Sequence, residues 1–171
     1  MSASKWTDEL AFATDLARRA GAVLTSHYER LERISYKSKR DVVTNADYAS
    51  ERLIIGEIRD RFGDDAILAE ESGQHAGMTR ADGTGNGRTW VIDPLDGTVN
   101  YANGIPFYCV SIGLVVGERP VVGVVFDPAR DDLYAATAGG RTTLNGTAVR
   151  ASAKEALSDY VVSLAVIGRG G

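Results

Sequence analysis

Short apolar runs separated by turn-forming residues fill the second half of the chain, and they restrict its fold more than any other feature. Gly139-Gly140 and Asn145-Gly146 predict turns, and Asn-Gly is a strong hairpin signal. A further hairpin turn is predicted at 117–120. The predicted strands are 108–116, 121–126, 133–137 and 160–167. This succession is typical of an antiparallel meander.

Two helices are predicted before this meander. Small and apolar residues recur at helical spacing after Thr7, and the shared face consists of Leu10, Ala13, Ala17, Ala20 and Leu24. A second helix is predicted over 46–62, with Ala49, Leu53 and Ile58 directed inward. Helices followed by a meander predict an α+β fold in which helices pack on a mainly antiparallel sheet, as one domain over residues 1–171.

Two connecting segments carry weaker signals. Residues 36–43 are short and mixed in character, and we interpret them as an edge strand. Residues 76–88 are polar and rich in glycine, which favours a mobile surface loop.

The run 90–98 predicts a functional site at the end of a strand. Three apolar residues lead into Asp93 and Asp96, which bracket the carbonyl of Leu95, so three oxygen ligands can converge on a hard cation such as Mg²⁺. Backbone amides at Gly97 and Thr98 follow where a helix could open, which is a natural phosphate seat. The alternative is an ordinary turn and helix cap, because Asp-Pro and Asp-Gly are common in both.

Two upstream clusters repeat this arrangement. Glu70 and Glu71 end a short apolar run and precede Ser72, while Asp41 and Asp47 flank the start of the second predicted helix. Each cluster alone fits solvated loop charges or a first-turn acid favoured by the helix dipole. All three together are better explained by one shared metal site.

These blocks resemble the inositol monophosphatase family. The resemblance rests on 93–98 (Asp-Pro-Leu-Asp-Gly-Thr), Asn100, 106–113, 70–72 and 41–47, in the family's order, and it extends over nearly the whole chain. It implies that the chain forms the N-terminal portion of a layered αβαβα sugar-phosphatase-like fold. It also implies hydrolysis of inositol monophosphate or a related small polyol or sugar phosphate, with sensitivity to lithium and a homodimer as the expected assembly.

The resemblance implies a metal site of two or three Mg²⁺ ions. Glu70, Asp93 and the carbonyl of Leu95 would hold the first ion, and Asp93 and Asp96 would share the second. Asp47 would lie near a third, weaker position. Lys37 would be a supporting cation behind the site.

The resemblance also implies the catalytic roles. Glu70 and Thr98 would orient or activate the attacking water, together with Asp47. The amides of Gly97 and Thr98 would receive the phosphate, and Asp96 would contribute to substrate binding.

Two alternatives stay open. Family members are longer and carry a C-terminal motif, a Trp-Asp or similar pair, whose Asp completes the second metal site. No such motif occurs here, so we expect the C-terminal part to be absent, and the alternative is a non-catalytic member acting through metal or protein binding. Haloacid-dehalogenase-type phosphatases also place two acids after a strand, but they separate them by one residue, whereas two lie between Asp93 and Asp96.

Composition excludes several other classes. A formal net charge of −4 leaves no basic footprint, so a nucleic-acid partner is not expected. No apolar run approaches about 18 residues and no signal-like segment precedes the first helix, so we expect a cytoplasmic protein without a membrane partner. Cys109 is the only cysteine, and we interpret it as a buried strand thiol. Solvated or capping roles are expected for His27 and His75.

Overall fold

The structure, a computed structural model, describes residues 5–28, 34–38, 41–77 and 85–161. Two long helices precede the main sheet: α1 spans Thr7–Tyr28 and α2 spans Asn45–Arg61. Thr44 caps α2, because its hydroxyl accepts from the backbone of Ala46 while Asp47 accepts from the backbone of Thr44. Both predicted helices are therefore confirmed, and none of the helices described is long and apolar enough to cross a membrane.

The buried face of α2 differs in part from the prediction. Ile58 is buried as expected, but Ala49 and Leu53 are only partly buried. The fully inward stripe contains three polar residues as well as apolar ones: Ala46, Asp47, Ser50, Glu51, Ile54 and Ile58. The predicted inward face is rotated from the observed buried stripe because the prediction used apolar residues alone.

The segment 36–43 is not a single edge strand. It belongs to two antiparallel strands, β1 (Ile34–Ser38) and β2 (Asp41–Thr44), which pair with each other and form a separate two-stranded sheet. The prediction was wrong because this stretch contains none of the glycine or Asn-Gly signals that mark a hairpin.

The main sheet has eight strands in the order β10-β9-β8-β7-β6-β5-β3-β4. Its strands are β3 (Ala66–Ala69), β4 (Gly73–His75), β5 (Arg88–Asp96), β6 (Cys109–Val116), β7 (Arg119–Asp127), β8 (Asp132–Thr137), β9 (Thr143–Leu144) and β10 (Thr147–Ala148). A short helix, α3 (Thr98–Ala102), follows β5 directly, and a 3₁₀ turn spans Leu157–Asp159. Among the strands that the structure describes, β3 and β5 alone pair in parallel, so the predicted mainly antiparallel character is confirmed.

Three of the four strands predicted for the meander, and its hairpins, are confirmed within two residues. The strand predicted at 160–167 is not formed at residues 160 and 161, and the rest of it lies outside the described residues. Of the loop predicted at 76–88, residue 88 already belongs to β5, and 78–84 lie outside the described residues.

Helices α1 and α2 pack on one face of the sheet. The largest fully buried side chains include Leu16, Ile54, Trp90 and Leu114, which join both helices to the central strands. Gly21 lets α1 approach β7 closely, because a Cβ there would meet the ring of Phe126 at 2.5 Å. This packing holds the N-terminal half of α2 against β5, where the candidate site lies.

Candidate functional site

Parallel pairing of β3 and β5 brings two predicted site acids together. Ala69 pairs with Ile92 in this register, and the backbone N–H of Glu70 donates to the carbonyl of Ile92 at 3.2 Å. Glu70 and Asp93 therefore leave adjacent strands at the same edge of the sheet, where a hydrogen bond joins their carboxyl groups when one of the two is protonated. Asp96 lies three residues further, at the end of β5.

This concentration of carboxyl groups disfavours negative charge at Asp93. Burial, the charge of Glu70, the hydrogen bond with Glu70 and the charge of Asp96 together raise the pKa of Asp93 to about 7. The backbone N–H of Leu95, which donates to Oδ1 of Asp93 at 3.1 Å, opposes this only in part. A nearby cation would relieve the repulsion that remains.

The donor set is chemically suited to a hard divalent cation. Glu70, Asp93 and Asp96 supply carboxylate oxygens, and the Leu95 carbonyl is a further oxygen donor, which are the ligands that Mg²⁺ accepts. Within the described parts of the chain, however, no three Asp, Glu, His or Cys side chains lie close enough together to hold a metal ion. These residues are therefore of the types that bind Mg²⁺, but the described residues alone do not surround an ion.

The turn after β5 requires its glycine. Gly97 precedes α3 with φ of 93°, a left-handed conformation that side chains disfavour. A Cβ at this position would lie 2.8 Å from the carbonyl oxygen of Phe107. The turn predicted to receive phosphate, at Gly97 and Thr98, is thus a constrained segment that leads directly into α3.

Asp47 lies beneath this turn with no exposed surface. Its Oδ2 accepts from the backbone N–H and hydroxyl of Thr44, at 2.8 and 2.6 Å, and its Oδ1 lies 3.1 Å from the hydroxyl of Thr98. Burial raises the pKa of Asp47, and these hydrogen bonds oppose that rise. The Thr98 hydroxyl also lies 2.9 Å from the carbonyl of Leu95, so its single proton is shared between two acceptors.

Two further polar residues of α2 hold the site, and the sequence analysis missed both. The hydroxyl of Ser50 donates to the carbonyl of Pro94 at 3.0 Å. The carboxylate of Glu51 accepts from the backbone N–H of Glu71 at 2.9 Å, and the Glu51 side chain is almost fully buried. One face of α2 is therefore bonded to both acid-bearing strand ends. A signal existed, because these polar positions lie on the same helical stripe as the apolar Ile54.

Cys109 lies beside Asp96, at the start of β6. Its Sγ donates to Oδ2 of Asp96 at 3.7 Å, and burial with the charges of Asp96 and Asp93 raises the pKa of the thiol to about 12. The thiol is half-buried at the first residue of its strand, so the predicted buried strand thiol is confirmed only in part, and its raised pKa keeps it protonated near neutral pH. Asp96 also lines a cavity of about 560 Å³ that extends toward β7 and β8.

The remaining predictions concern two histidines and one lysine. His27 caps the end of α1, with Nδ1 at 2.9 Å from the carbonyl of Val23, as expected. His75 lies in strand β4 rather than in a loop, because the residues after the Glu70 turn pair back onto β3. The side chain of Lys37 lies outside the described residues.

Residues 5–168 match the model of the Inositol monophosphatase family. The chain belongs to this family. It is 39% identical over 156 residues to the Nus factor SuhB of Salmonella typhimurium, covering 90% of this chain and 56% of that protein. It is 36% identical over 159 residues to inositol monophosphatase 2 of Solanum lycopersicum, covering 90% of this chain and 57% of that protein.

The fold of the inositol monophosphatase family is confirmed by solved structures. The crystal structure of the extragenic suppressor protein suhB from Bartonella henselae superposes with a TM-score of 0.80 at 31% identity, covering 86% of this chain and 56% of that one. The chain thus spans a little over half the length of these relatives, in agreement with the expected absence of the family's C-terminal part from this sequence.

Proposed function

We propose that this chain carries the principal carboxylates of a Mg²⁺-dependent phosphomonoesterase that acts on inositol monophosphate or a related small polyol or sugar phosphate. The observation that supports this most directly is the pairing of Glu70 with Asp93 near Asp96, beside a hydroxyl held by a buried acid. The three acids lie at one edge of the sheet and none of them forms an ion pair with a described Lys or Arg side chain, which favours binding of a metal cation.

In this proposal Glu70, Asp93, Asp96 and the Leu95 carbonyl hold two Mg²⁺ ions, with Asp47 near a third. Bound metal would supply Lewis-acid stabilisation of the phosphoryl oxygens and lower the pKa of water. A further ligand is expected from the C-terminal motif that this sequence lacks, which is consistent with the incomplete set of ligands among the described residues.

The chain's own groups would position the water and the phosphate. When the Thr98 hydroxyl donates to Asp47, its lone pairs are free to accept a hydrogen bond from water and fix its direction of approach. Glu70 would accept a second hydrogen bond from the same water. The amides of Gly97 and Thr98 would donate to the phosphoryl oxygens, and Asp96 would contact the substrate.

The test is phosphate release from inositol 1-phosphate by the 171-residue chain, with and without Mg²⁺. The proposal expects Mg²⁺-dependent release that Asp93→Asn abolishes. Asp60→Asn is the matched control, because it makes the same chemical change at an exposed position in the last turn of α2. Release that is unaffected by Asp93→Asn would contradict the mechanism.

A second candidate is a protein that binds metal or partners without catalysis. It is favoured by two observations: some relatives carry the name Nus factor rather than that of a phosphatase, and the chain spans 56% of the first of them. A folded chain that binds Mn²⁺ in equilibrium dialysis and releases no phosphate above background would support it. Location in the cytoplasm, a homodimer and lithium sensitivity stay predictions.

A further inference from the structure

A groove between α2 and the edge strand β4 lies outside the site described above. It is broad and open to solvent, with a volume of about 570 Å³, and we call it the α2–β4 groove. Tyr48, Arg52, Ile55 and Arg59 follow one another along one face of α2 and form one wall, while Ser72 and His75 form the other. A volume of this size lies within the range of small-molecule sites.

The groove carries unpaired positive charge. Among the described residues, neither Arg52 nor Arg59 lies within 4.0 Å of a carboxylate oxygen. Of the described residues that line the groove, Glu51 alone carries a carboxylate, which is almost fully buried and accepts from the backbone of Glu71. Two guanidinium groups against one engaged carboxylate are a local excess of cations in a chain of net charge −4.

A hydrogen-bonded series orients donors toward the groove. Nη2 of Arg59 lies 3.3 Å from Nδ1 of His75, and Nε2 of His75 lies 2.6 Å from Oγ of Ser72. A guanidinium only donates, so Nδ1 accepts and the proton of a neutral His75 lies on Nε2. Ser72 then accepts from His75, and its own hydroxyl proton is free to be donated to a ligand.

Gly56 leaves space in the α2 wall of the groove. A glycine in the middle of a helix is destabilising relative to alanine. No described heavy atom lies within 4 Å of a Cβ built at Gly56, so packing does not require a glycine there. This contrasts with Gly21 on α1, where a ring fills the space. The open space at Gly56 lies in the wall that carries Arg52 and Arg59.

We propose that the α2–β4 groove binds the phosphate group of a small phosphorylated molecule, at a site separate from the Glu70–Asp93 carboxylates. Guanidinium groups and a hydroxyl are the donors that match the several acceptor oxygens of a phosphate. An acidic peptide is the competing ligand, but the close grouping of Arg59, His75 and Ser72, joined by contacts of 3.3 and 2.6 Å, favours a single compact anion. This inference does not depend on the proposed catalytic activity.

The test is a titration of the ¹⁵N-labelled 171-residue chain with inorganic phosphate in EDTA, followed by two-dimensional NMR. We expect saturable shifts of the amides of Arg59, Ser72 and His75. The double variant Arg52→Ala/Arg59→Ala and the groove-filling variant Gly56→Leu should each weaken binding by about tenfold or more. Arg119→Ala/Arg141→Ala is the matched control, since it removes two exposed arginines elsewhere and should leave binding within about twofold.

Three results would overturn the proposal. One is the absence of saturable shifts at these amides in the wild-type chain, and another is a shift confined to residues 93–98. The third is tighter binding of a glutamate-rich peptide than of phosphate at the same amides, which would assign the groove to a protein partner. The dispersion of each variant's own spectrum shows whether it is folded, and Gly56→Leu keeps both arginines if the double variant is not.

Discussion

The hydroxyl of Thr98 lies 3.1 Å from Oδ1 of Asp47, across 51 residues of sequence. Asp47 serves two structures at once, because its other oxygen accepts from Thr44 and closes the start of α2. The helix cap and the turn after β5 therefore share one buried carboxyl group. A substitution at Asp47 or at Thr98 should therefore alter the structure around the other residue.

Thr98→Val should destabilise the chain, since it removes the donor to a fully buried carboxyl oxygen while keeping the side-chain shape. Leaving a buried acceptor without its donor costs about 1–3 kcal/mol. Urea denaturation measures this as a loss in the free energy of unfolding. Thr98→Ser retains the hydroxyl and should recover most of it. Equal stability of the valine variant and the wild type would show that Asp47 does not depend on Thr98.

Glu51→Ala should release the turn that carries Glu70. The backbone N–H of Glu71 loses its acceptor, and the expected cost is about 1–3 kcal/mol in the free energy of unfolding. Hydrogen exchange at the Glu71 amide should become faster. Glu51→Gln keeps an acceptor oxygen and should preserve both properties. Glu57→Ala, which removes an ion-pair partner of Arg19, is the control and should leave hydrogen exchange at Glu71 unchanged. If the Glu71 amide of Glu51→Ala exchanged as slowly as that of the wild type, the role given to Glu51 would be contradicted.

Gly97→Ala should cost more stability than Gly87→Ala, although both glycines have positive φ. The strain of the left-handed conformation, about 1–2 kcal/mol, applies to both positions. Only at Gly97 does the new Cβ also meet a backbone oxygen, at 2.8 Å, while nothing lies within 4 Å at Gly87. The difference between the two variants in thermal unfolding measures the close contact. Equal effects would mean that the turn after β5 can move away from Phe107.

Cys109 should react slowly with iodoacetamide at pH 8 in EDTA. Only the thiolate is nucleophilic, and with a pKa of about 12 the folded thiol is almost entirely protonated at that pH. Raising the pH should accelerate alkylation, and unfolding in urea should accelerate it further. Among the neighbouring charges, that of Asp96 raises the thiol pKa most. Asp96→Asn should therefore lower the thiol pKa and increase the rate of alkylation, whereas Asp60→Asn should not. Fast alkylation of the folded wild type would show that the thiol is more exposed and more acidic than described.

Local signals determined which parts of the fold could be predicted. The hairpins at Gly117 and at Asn145-Gly146 were found because a few adjacent residues specify each turn. The acids at the ends of β3 and β5 were found because each follows an apolar run directly. The parallel pairing that joins these two strands was not predicted, since strand order depends on contacts between distant segments. The pairing nevertheless explains how two motifs that are separate in sequence come to the same edge of the sheet.

The buried polar stripe of α2 illustrates what single-sequence reasoning misses. Ser50 and Glu51 have the composition of a solvent-facing helix surface, and only their partners, Pro94 and Glu71, make their burial favourable. Those partners come from other segments, so helical periodicity alone does not predict these hydrogen bonds. The prediction of 36–43 as one strand failed for the opposite reason, because the hairpin there has no recognisable turn signal.

The bonds that assemble the site also determine when it can form. Ser50 reaches Pro94 across 44 residues, and Thr98 reaches Asp47 across 51, so no contiguous piece of α2 and its neighbours holds the acids in place. Contacts over such separations form later than local helices, because closing the intervening loop costs entropy before the contact is made. During synthesis, α1 and α2 would be complete well before β5 emerges from the ribosome. The carboxylates of a nascent chain thus stay apart until β5 docks onto α2, so the candidate site takes shape later than the helices that support it.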